Sequence, residues 1–195
     1  MVMGLFTVYS ALVMRWCNVD NTLIRYESNG RFAENIENTI GYFAVPLFVY
    51  VEVSANDRFV DLLGKVTHAF CCAFEHADSS YLEAQLPRPE FSKNTAFNWI
   101  PNVSSTEFDE LLSLKEPIRC APFRFTNPRL RTLRRDTEPF VCFGESDGAI
   151  EGGIYFALNQ VSREEMERFG RNFSMLVEVL LSEPESRVAQ IPQAL

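Results

Sequence analysis

The sequence predicts an α/β fold in which a mixed β-sheet packs against helices. Segments with the 3.6-residue periodicity of amphipathic helices are interspersed with short runs rich in Val, Phe and Tyr, which are typical of strands. This interspersion is the pattern of a layered α/β architecture. Hydrophobic residues make up 47% of the chain and charged residues 23%, an ordinary globular composition. No internal repeat, low-complexity tract or linker divides the sequence, so we expect residues 1–195 to form a single domain.

The first half of the chain predicts two helices and two strands. A buried helix is predicted over residues 1–17 by apolar residues at helical spacing, namely Leu5, Val8, Tyr9, Leu12, Val13 and Trp16. A strand is predicted over Thr22–Glu27, and a second, buried strand over Val45–Val53. The next helix is predicted from Phe59 to Phe74 by its apolar stripe, with one of the preceding polar residues, Asn56 or Asp57, as its cap.

The second half of the chain predicts further strands and a long final helix. A short helix is expected over Ser79–Gln85, followed by strands over Thr95–Ile100, Ile118–Phe125, Phe140–Phe143 and Ala149–Leu158. Residues 144–148, rich in Gly, Ser and Asp, are a good hairpin connection between the last two strands. Ser162 and Glu165 have the spacing of a capping box, which predicts the start of a helix that ends at Ser182.

Charge and cysteine content argue against several kinds of partner and compartment. The formal net charge is -8, so most of the surface repels a phosphate backbone and no nucleic-acid partner is predicted. The apolar segment at residues 1–17 is shorter than the ~20 residues that a bilayer-spanning helix needs, so no membrane partner is predicted either. The five cysteines form no CxxC pair, which indicates reduced thiols in a cytoplasmic protein.

The two histidines do not predict a catalytic or a metal site. His68 and His76 lie in no cluster of Cys or carboxylate residues at metal-ligand spacing. His68 is off the main apolar stripe of its helix and is expected to be a surface residue. His76 follows the end of that helix beside Asp78, where the helix dipole favours a histidine as a cap. No Gly-x-Ser-x-Gly elbow occurs and no Cys–His pair is evident, so no catalytic residue is predicted.

Four segments, in order along the chain, resemble motifs of one family. Gly30-Arg31 with Glu34, followed by Ile40-Gly41-Tyr42-Phe43, is similar to a Gly-Arg, a nearby Glu and an Ile-Gly-x-Phe that leads into a strand. The family continues with Val-Asn-Thr-Leu, where this chain has Ala44-Val45-Pro46-Leu47. His76-Ala77-Asp78 resembles the family's His-Gln-Asp, although the Pro-Phe-Glu that should follow is not reproduced.

The other two segments complete the set. Arg88-Pro89-Glu90-Phe91-Ser92-Lys93-Asn94-Thr95 resembles Arg-Asp-x-Ser-Arg-Asn-Pro-Leu before a strand. Glu183-Pro184-Glu185-Ser186-Arg187-Val188 resembles an Asp/Glu-Pro-Glu-x-Arg-Val that follows a long helix. The family with this ordered set is the condensation domain of nonribosomal peptide synthetases. The resemblance covers nearly the whole chain but less than half of a complete family domain.

The resemblance implies a chloramphenicol-acetyltransferase-like subdomain. Family domains are V-shaped pairs of such subdomains, and this chain would supply most of the second, C-terminal one. The family's active-site motif, His-His-x-x-x-Asp-Gly, belongs to the N-terminal catalytic subdomain and is absent from this sequence. In the family, an amine on one carrier-protein-bound substrate attacks a thioester on another. The resemblance therefore implies a carrier protein with its phosphopantetheine arm as partner, and no cofactor bound by the chain itself.

The resemblance also points to candidate site residues. Asn94, with Ser92, is a substrate-channel candidate, since an amide can orient a thioester carbonyl or stabilise an oxyanion, although a turn residue before a strand fits it too. Carrier-docking candidates lie in an Arg-rich stretch suited to a phosphate, with a solvated loop as the alternative; they are Arg124, Arg129, Arg131, Arg134 and Arg135. Arg31 is expected to pair with Glu34 and brace the turn at Gly30.

Three functional hypotheses remain open. The chain is half of a condensation enzyme that needs an N-terminal half, or a non-catalytic module that docks a carrier protein or stabilises a synthetase. A third is a relative that transfers acyl groups to alcohols, which needs the same missing histidine. The possible partners are thus a carrier protein, an N-terminal condensation half and a second copy of the chain. The first hypothesis also predicts an exposed apolar face where the rest of the domain would pack.

Overall fold

Five strands and three α-helices make up the described part of the protein. The computed structural model describes residues 1–31, 36, 39–54, 56–77, 95–100, 140–146, 149–156 and 161–190. The helices are α1 (Val2–Cys17), α2 (Phe59–Glu75) and α3 (Arg163–Ser182), and a 3-10 turn follows at Val188–Gln190. The strands are β1 (Asn21–Ser28), β2 (Val45–Glu52), β3 (Thr95–Ile100), β4 (Phe140–Ser146) and β5 (Ala149–Tyr155).

The strands form one mixed sheet in the order β2-β1-β3-β4-β5. The two outer pairs, β1 with β2 and β4 with β5, are antiparallel, whereas the two inner pairs, β1 with β3 and β3 with β4, are parallel. Phe97 lies opposite Tyr26 on one side and Val141 on the other, which places β3 at the centre of the sheet. The predicted α/β class with a mixed sheet and packed helices is confirmed.

Helix α1 is the centre of the hydrophobic core. Every residue from Leu5 to Met14 is buried, and the helix packs against α2, α3, β1 and β3. The Phe6 ring is fully buried and meets the rings of Tyr26, Phe70 and Phe97 edge-on. Because its surface is apolar almost all round, α1 is stable as a helix only when other elements surround it.

The polar side chains buried in α1 all have hydrogen-bond partners. The Thr7 hydroxyl donates to the carbonyl of Met3 and the Ser10 hydroxyl to the carbonyl of Phe6, each over 2.7 Å. The Tyr9 and Thr95 hydroxyls share a short hydrogen bond that ties α1 to the start of β3. These bonds remove the cost of placing hydroxyl groups in an apolar interior.

The start of α2 is held by the end of the chain. The expectation that Asn56 or Asp57 caps this helix is wrong, because Arg58 is the N-cap residue and makes no side-chain cap bond. Two backbone N–H groups of the first turn, of Phe59 and Val60, instead donate to the carbonyls of Ser186 and Pro184, each over 3.1 Å. Residues 183–190, hereafter the tail segment, therefore replace a capping side chain with backbone acceptors.

Strand β2 differs from the fully buried strand that was expected. Its residues alternate, so that Val49 and Val51 are buried while Tyr50 is 52% exposed. The reason is its place at the edge of the described sheet, with α2 against one face. Pro46 is tolerated there because an edge strand has backbone groups that need no ladder partner.

The remaining predicted bounds hold closely at the helices and less well at the hairpin. The capping box of α3 is present, with the Ser162 hydroxyl accepting from the Glu165 N–H and the Glu165 carboxylate accepting from the Ser162 N–H. Strand β4 runs on to Ser146, so the connection to β5 is residues 147–148 and not 144–148. The segments Ser79–Gln85 and Ile118–Phe125 lie outside the described residues. Within the described ranges, no helix combines the length and apolarity required to cross a membrane.

Candidate functional site

The site residues suggested by the resemblance lie outside the described residues. These are the channel candidates Asn94 and Ser92 and the docking candidates Arg124, Arg129, Arg131, Arg134 and Arg135. Thr95, one residue after Asn94, begins β3 next to β1, where its partner is Ile24. The site is therefore built from the described residues of the other motifs, which lie in the loop before β2, at the end of α2 and in the tail segment.

Arg31 braces the loop before β2. Its guanidinium donates to the carbonyls of Ile36 and Thr39, the second over 2.9 Å, and lies 4.6 Å from the centroid of the Phe43 ring. A guanidinium fits this role because it offers several donors and stacks on an aromatic face. The expected bracing role of Arg31 agrees with these contacts, which join it to carbonyls and a ring, while Glu34 lies outside the described residues.

Gly30 allows the close approach on which this brace depends. Its φ is +66°, in the left-handed region that favours glycine, and the carbonyl oxygen of Phe43 lies where a Cβ would stand. The Gly-Arg pair thus fixes both the backbone and the side chain that hold the Ile40–Phe43 segment. The glycine and the arginine of the motif are explained by packing alone.

The braced segment presents two large apolar side chains to solvent. Ile40 is 99% exposed and Tyr42 is 91% exposed. Both residues stand in the segment that Arg31 and Gly30 hold in place. Large apolar groups that are this exposed on a braced segment are typical of surfaces that another chain or domain covers.

His76 is the C-terminal cap of α2, as the sequence indicated. Its Nδ1 donates to the carbonyl of Cys72 over 2.8 Å, and its backbone N–H donates to the carbonyl of Phe74. Both bonds satisfy carbonyl groups that a helix end leaves without an intrahelical partner. The histidine of the His-x-Asp motif therefore has a structural role here, and Asp78 lies outside the described residues.

A Cys–His pair that was not evident in the sequence lies on the same helix. The distance between the Cys72 Sγ and the His68 Nε2 is 3.7 Å. The spacing i, i+4 on a predicted helix was the signal that could have revealed it. His68 is exposed, as expected. Within the ranges that the structure covers, no group of three or more His, Cys, Asp or Glu residues is arranged to hold a metal ion.

Four cysteines in the described ranges are free, among them the half-buried Cys142 on β4. Burial raises the pKa of the Cys142 thiol, so less of its reactive thiolate is present at neutral pH. Burial also raises the pKa of the nearby Tyr155 hydroxyl, with a smaller contribution from Cys142. Both changes favour the neutral form, which does not suit a nucleophile or a general base.

A groove of about 410 Å³ lies between the β4–β5 hairpin and α3. Its walls include the apolar side chains of Phe143, Ile154 and Phe173. Gly152 makes room for the Phe143 ring, since a Cβ there would meet that ring and lie 2.6 Å from the Cys142 carbonyl oxygen. Arg163 and Glu167 both line the groove, and their opposite charges give it no net attraction for a phosphate.

Comparison with curated proteins finds peptide synthetases. No protein-family model matches the chain. One of the proteins that make up the linear gramicidin synthase of Brevibacillus parabrevis is 20% identical over 97% of the chain, and surfactin synthase subunit 1 of Bacillus subtilis is 24% identical over 96%. The chain spans only 4% and 5% of the length of these two relatives.

Comparison with solved structures finds condensation domains. The first condensation domain of the calcium-dependent antibiotic synthetase matches 99% of the chain with a TM-score of 0.73 at 12% identity. The starter condensation domain of rhizomide synthetase matches 98% with a TM-score of 0.72 at 11% identity. The chain spans 41% and 44% of those two structures. This protein has the fold of part of a condensation domain.

A third solved structure with this condensation fold contains a bound protein. The X-domain from teicoplanin biosynthesis, solved as a complex with OxyB, matches the whole chain with a TM-score of 0.71 at 17% identity. The chain spans 43% of that structure. The predicted resemblance to part of a condensation domain is confirmed by these matches together with those to the synthetases.

The tail motif of this condensation fold is a structural clasp. The Arg58 guanidinium donates to both carboxylate oxygens of Asp61, over 2.7 and 2.8 Å, and to the Glu185 carboxylate over 2.5 Å. The hydrogen bonds with Asp61, and then the charges of Asp61 and Glu185, raise the pKa of Arg58 above its ordinary value. The Val188 N–H donates to the Asp57 carbonyl over 2.9 Å. Sequence comparison alone found this motif, and the contacts show that it anchors the end of the chain on α2.

Proposed function

We propose that the chain is one half of a condensation enzyme and contributes to amide-bond formation between carrier-protein-bound substrates. The observation that supports this most is the coverage: 97–100% of the chain matches condensation folds of which it spans less than half. The described part also has its own core, centred on α1. A piece with a complete core can fold and then pair with the remainder of the domain.

The proposed reaction needs a base that the other half would supply. The amine nitrogen attacks the thioester carbon, the new C–N bond forms, the C–S bond breaks, and the amine proton ends on the departing thiol. A neutral histidine suits the removal of that proton because its ordinary pKa lies near physiological pH. His76 is engaged in capping α2 and His68 lies on its surface, so neither is proposed as this base.

The proposed contact surface for the other half is the braced segment before β2. Ile40 and Tyr42 are almost fully exposed, and Arg31 holds their backbone before any partner binds. A preorganised pair of large apolar side chains loses little conformational freedom on association and gains the burial energy. Tyr42 is of the residue class that often dominates binding energy at protein interfaces.

The test is to mix the purified chain with N-terminal condensation halves that carry His-His-x-x-x-Asp-Gly. Light scattering after size exclusion should give a stoichiometric complex, and loaded carrier proteins should yield an amide product, measured by mass spectrometry, only when both halves are present. The chain alone should give no product. Turnover by the chain alone, or no complex and no product with any half tried, would contradict the proposal.

Single substitutions locate the contact surface. Ile40→Ser and Tyr42→Ser should each weaken binding of the N-terminal half by about tenfold or more, which corresponds to about 1.4 kcal/mol. Ile150→Ser is the matched control, because Ile150 is a 44% exposed apolar residue on β5, at the opposite edge of the described sheet. Equal losses for Ile150 and Ile40 would show that the contact is not specific to the braced segment.

A second candidate function is a non-catalytic docking module. The observation that favours it is the match to an X-domain solved in complex with another protein, OxyB. In this proposal the carrier protein binds the Arg-rich stretch, where guanidinium groups would pair with the phosphate of the phosphopantetheine arm. The free cysteines fit a reducing compartment, so both candidates place the chain in the cytoplasm.

Charge reversal tests the docking module. Arg129→Glu with Arg131→Glu should abolish carrier binding and its salt dependence, while Arg171→Glu on the exposed side of α3 should leave both unchanged. Removal of the phosphopantetheine arm should weaken binding to the native chain. Carrier binding without any gain of turnover on adding an N-terminal half would favour this function over the split enzyme.

A further inference from the structure

The exposed side of α2 near its end carries a pair of metal-ligand side chains. His68 and Cys72 are one helical turn apart, and neither lies in the buried core. Their Nε2 and Sγ atoms are 3.7 Å apart. Imidazole and thiolate are the two donor types most common at zinc sites.

The separation of the two donor atoms matches what a tetrahedral ion requires. With Zn–S at about 2.3 Å, Zn–N at about 2.05 Å and a tetrahedral angle, the two donors should be about 3.6 Å apart. The observed 3.7 Å therefore needs almost no rearrangement of either side chain. Because both residues belong to one helix, the distance is set by the backbone and little entropy is lost on chelation.

The electrostatic surroundings also favour a cation. Cys72 lies in the last turn of α2, at the negative end of the helix dipole, and that turn has no basic residue. The sequence between Val66 and Ala77 contains no Lys or Arg, and its one formal charge is the exposed carboxylate of Glu75. A divalent ion at this position meets no nearby cation of the same helix.

We propose that His68 and Cys72 form a two-residue chelating site for Zn²⁺ or a related thiolate-binding divalent ion. The His68 Nε2 and the Cys72 Sγ are the protein ligands, and two further positions on the ion stay open to water or to another molecule. This site is independent of the proposed function, since it uses no residue of the braced segment, the tail segment or the Arg-rich stretch.

The first test is metal binding by the reduced, chelator-treated full chain. Zn²⁺ should bind one ion per chain in competition with a chromophoric chelator, and Co²⁺ should give a thiolate charge-transfer absorption band. His68→Gln and Cys72→Ser should each lower the affinity by at least about tenfold, as loss even of groups that only orient a ligand does. Cys71→Ser is the control, because Cys71 is exposed and adjacent but its side chain points in a different direction.

A second readout separates a defined site from general thiol binding. Saturating Zn²⁺ should protect Cys72 from alkylation while Cys71 and Cys17 continue to react, as resolved by peptide mass spectrometry. Far-ultraviolet circular dichroism should be the same for all variants, since none of the substituted side chains is part of the buried core. Zn²⁺ binding that survives both His68→Gln and Cys72→Ser, or is lost equally with Cys71→Ser, would overturn the site.

Discussion

The two ends of α2 are built from the same helix and serve different purposes. At its start, Phe59, Leu62 and Val66 are buried, and the first-turn N–H groups bind carbonyls of the tail segment. At its end, Phe74 is 45% exposed and the histidine and cysteine side chains lie outside the core. An amphipathic helix can therefore be anchored at one end while the other keeps ligand-type side chains available.

Loss of a buried side chain at the start of α2 is expected to have the largest effect. Leu62 is fully buried, so Leu62→Ala should lower the free energy of unfolding by about 2–5 kcal/mol through lost burial and an unfilled cavity. Phe74→Ala at the exposed end should cost less than about 1 kcal/mol. Urea unfolding followed by Trp16 and Trp99 fluorescence measures both. Equal losses would mean that the end of α2 is covered in solution.

Weakening of the tail segment is expected to have the next largest effect. Val188 is 2% exposed, so Val188→Ala should lower the free energy of unfolding by about 1–2 kcal/mol, the value of two buried methyl groups. Val19→Ala, at a position 37% exposed, is the matched control and should change it by less than about 0.5 kcal/mol. The clasp would lose its assigned role if the two variants unfolded at the same urea concentration.

The ion pair at the start of α2 predicts a small dependence of stability on pH. The hydrogen bond from Arg58, ahead of the charge attraction, lowers the pKa of Asp61 below its ordinary value of 3.8. A lowered pKa means that this stabilisation is present above pH 3.8 and is lost as the pH falls through the folded-state value. Asp61→Asn should therefore flatten the acid side of a melting-temperature curve, and Asp20→Asn should not. The groups are exposed, so the effect is small and decreases in high salt.

Thiol chemistry compares the ends of the helix without changing stability. Cys71 and Cys72 near the end of α2 should react with a thiol reagent before Cys142, whose pKa is raised by burial on β4. Peptide mass spectrometry at short reaction times assigns the modified residues. If Cys142 were modified first, the sheet at β4 would be more open than α2, contrary to the observed burial.

Much of the fold follows from local sequence patterns. The apolar spacing of α1, the capping box of α3 and the Val-rich run of β2 each predicted an element within a few residues of its observed bounds. These signals are local because helix and strand hydrogen bonding repeats every 3.6 or 2 residues. The burial of β2 was overestimated, since composition does not say whether a strand lies at the centre or the edge of a sheet.

The candidate site was predicted only in part. The Gly30–Arg31 brace and the His76 cap were expected from turn and helix-end chemistry, and the structure supplies their partners. The His68–Cys72 pair was missed although its spacing lay within a predicted helix. The carbonyl acceptors that cap α2 could not be predicted, because they come from residues more than 120 positions further along the chain.

The sequence alone determined the fold class, most element bounds and the family resemblance, because periodicity, caps and motifs depend on neighbouring residues. Only the tertiary structure decided which N–H groups of α2 meet the tail segment and which side chains of the Ile40–Phe43 segment face solvent. Those outcomes depend on contacts between residues far apart in sequence. Such contacts form only when burial of the common core offsets the entropy lost in bringing distant segments together.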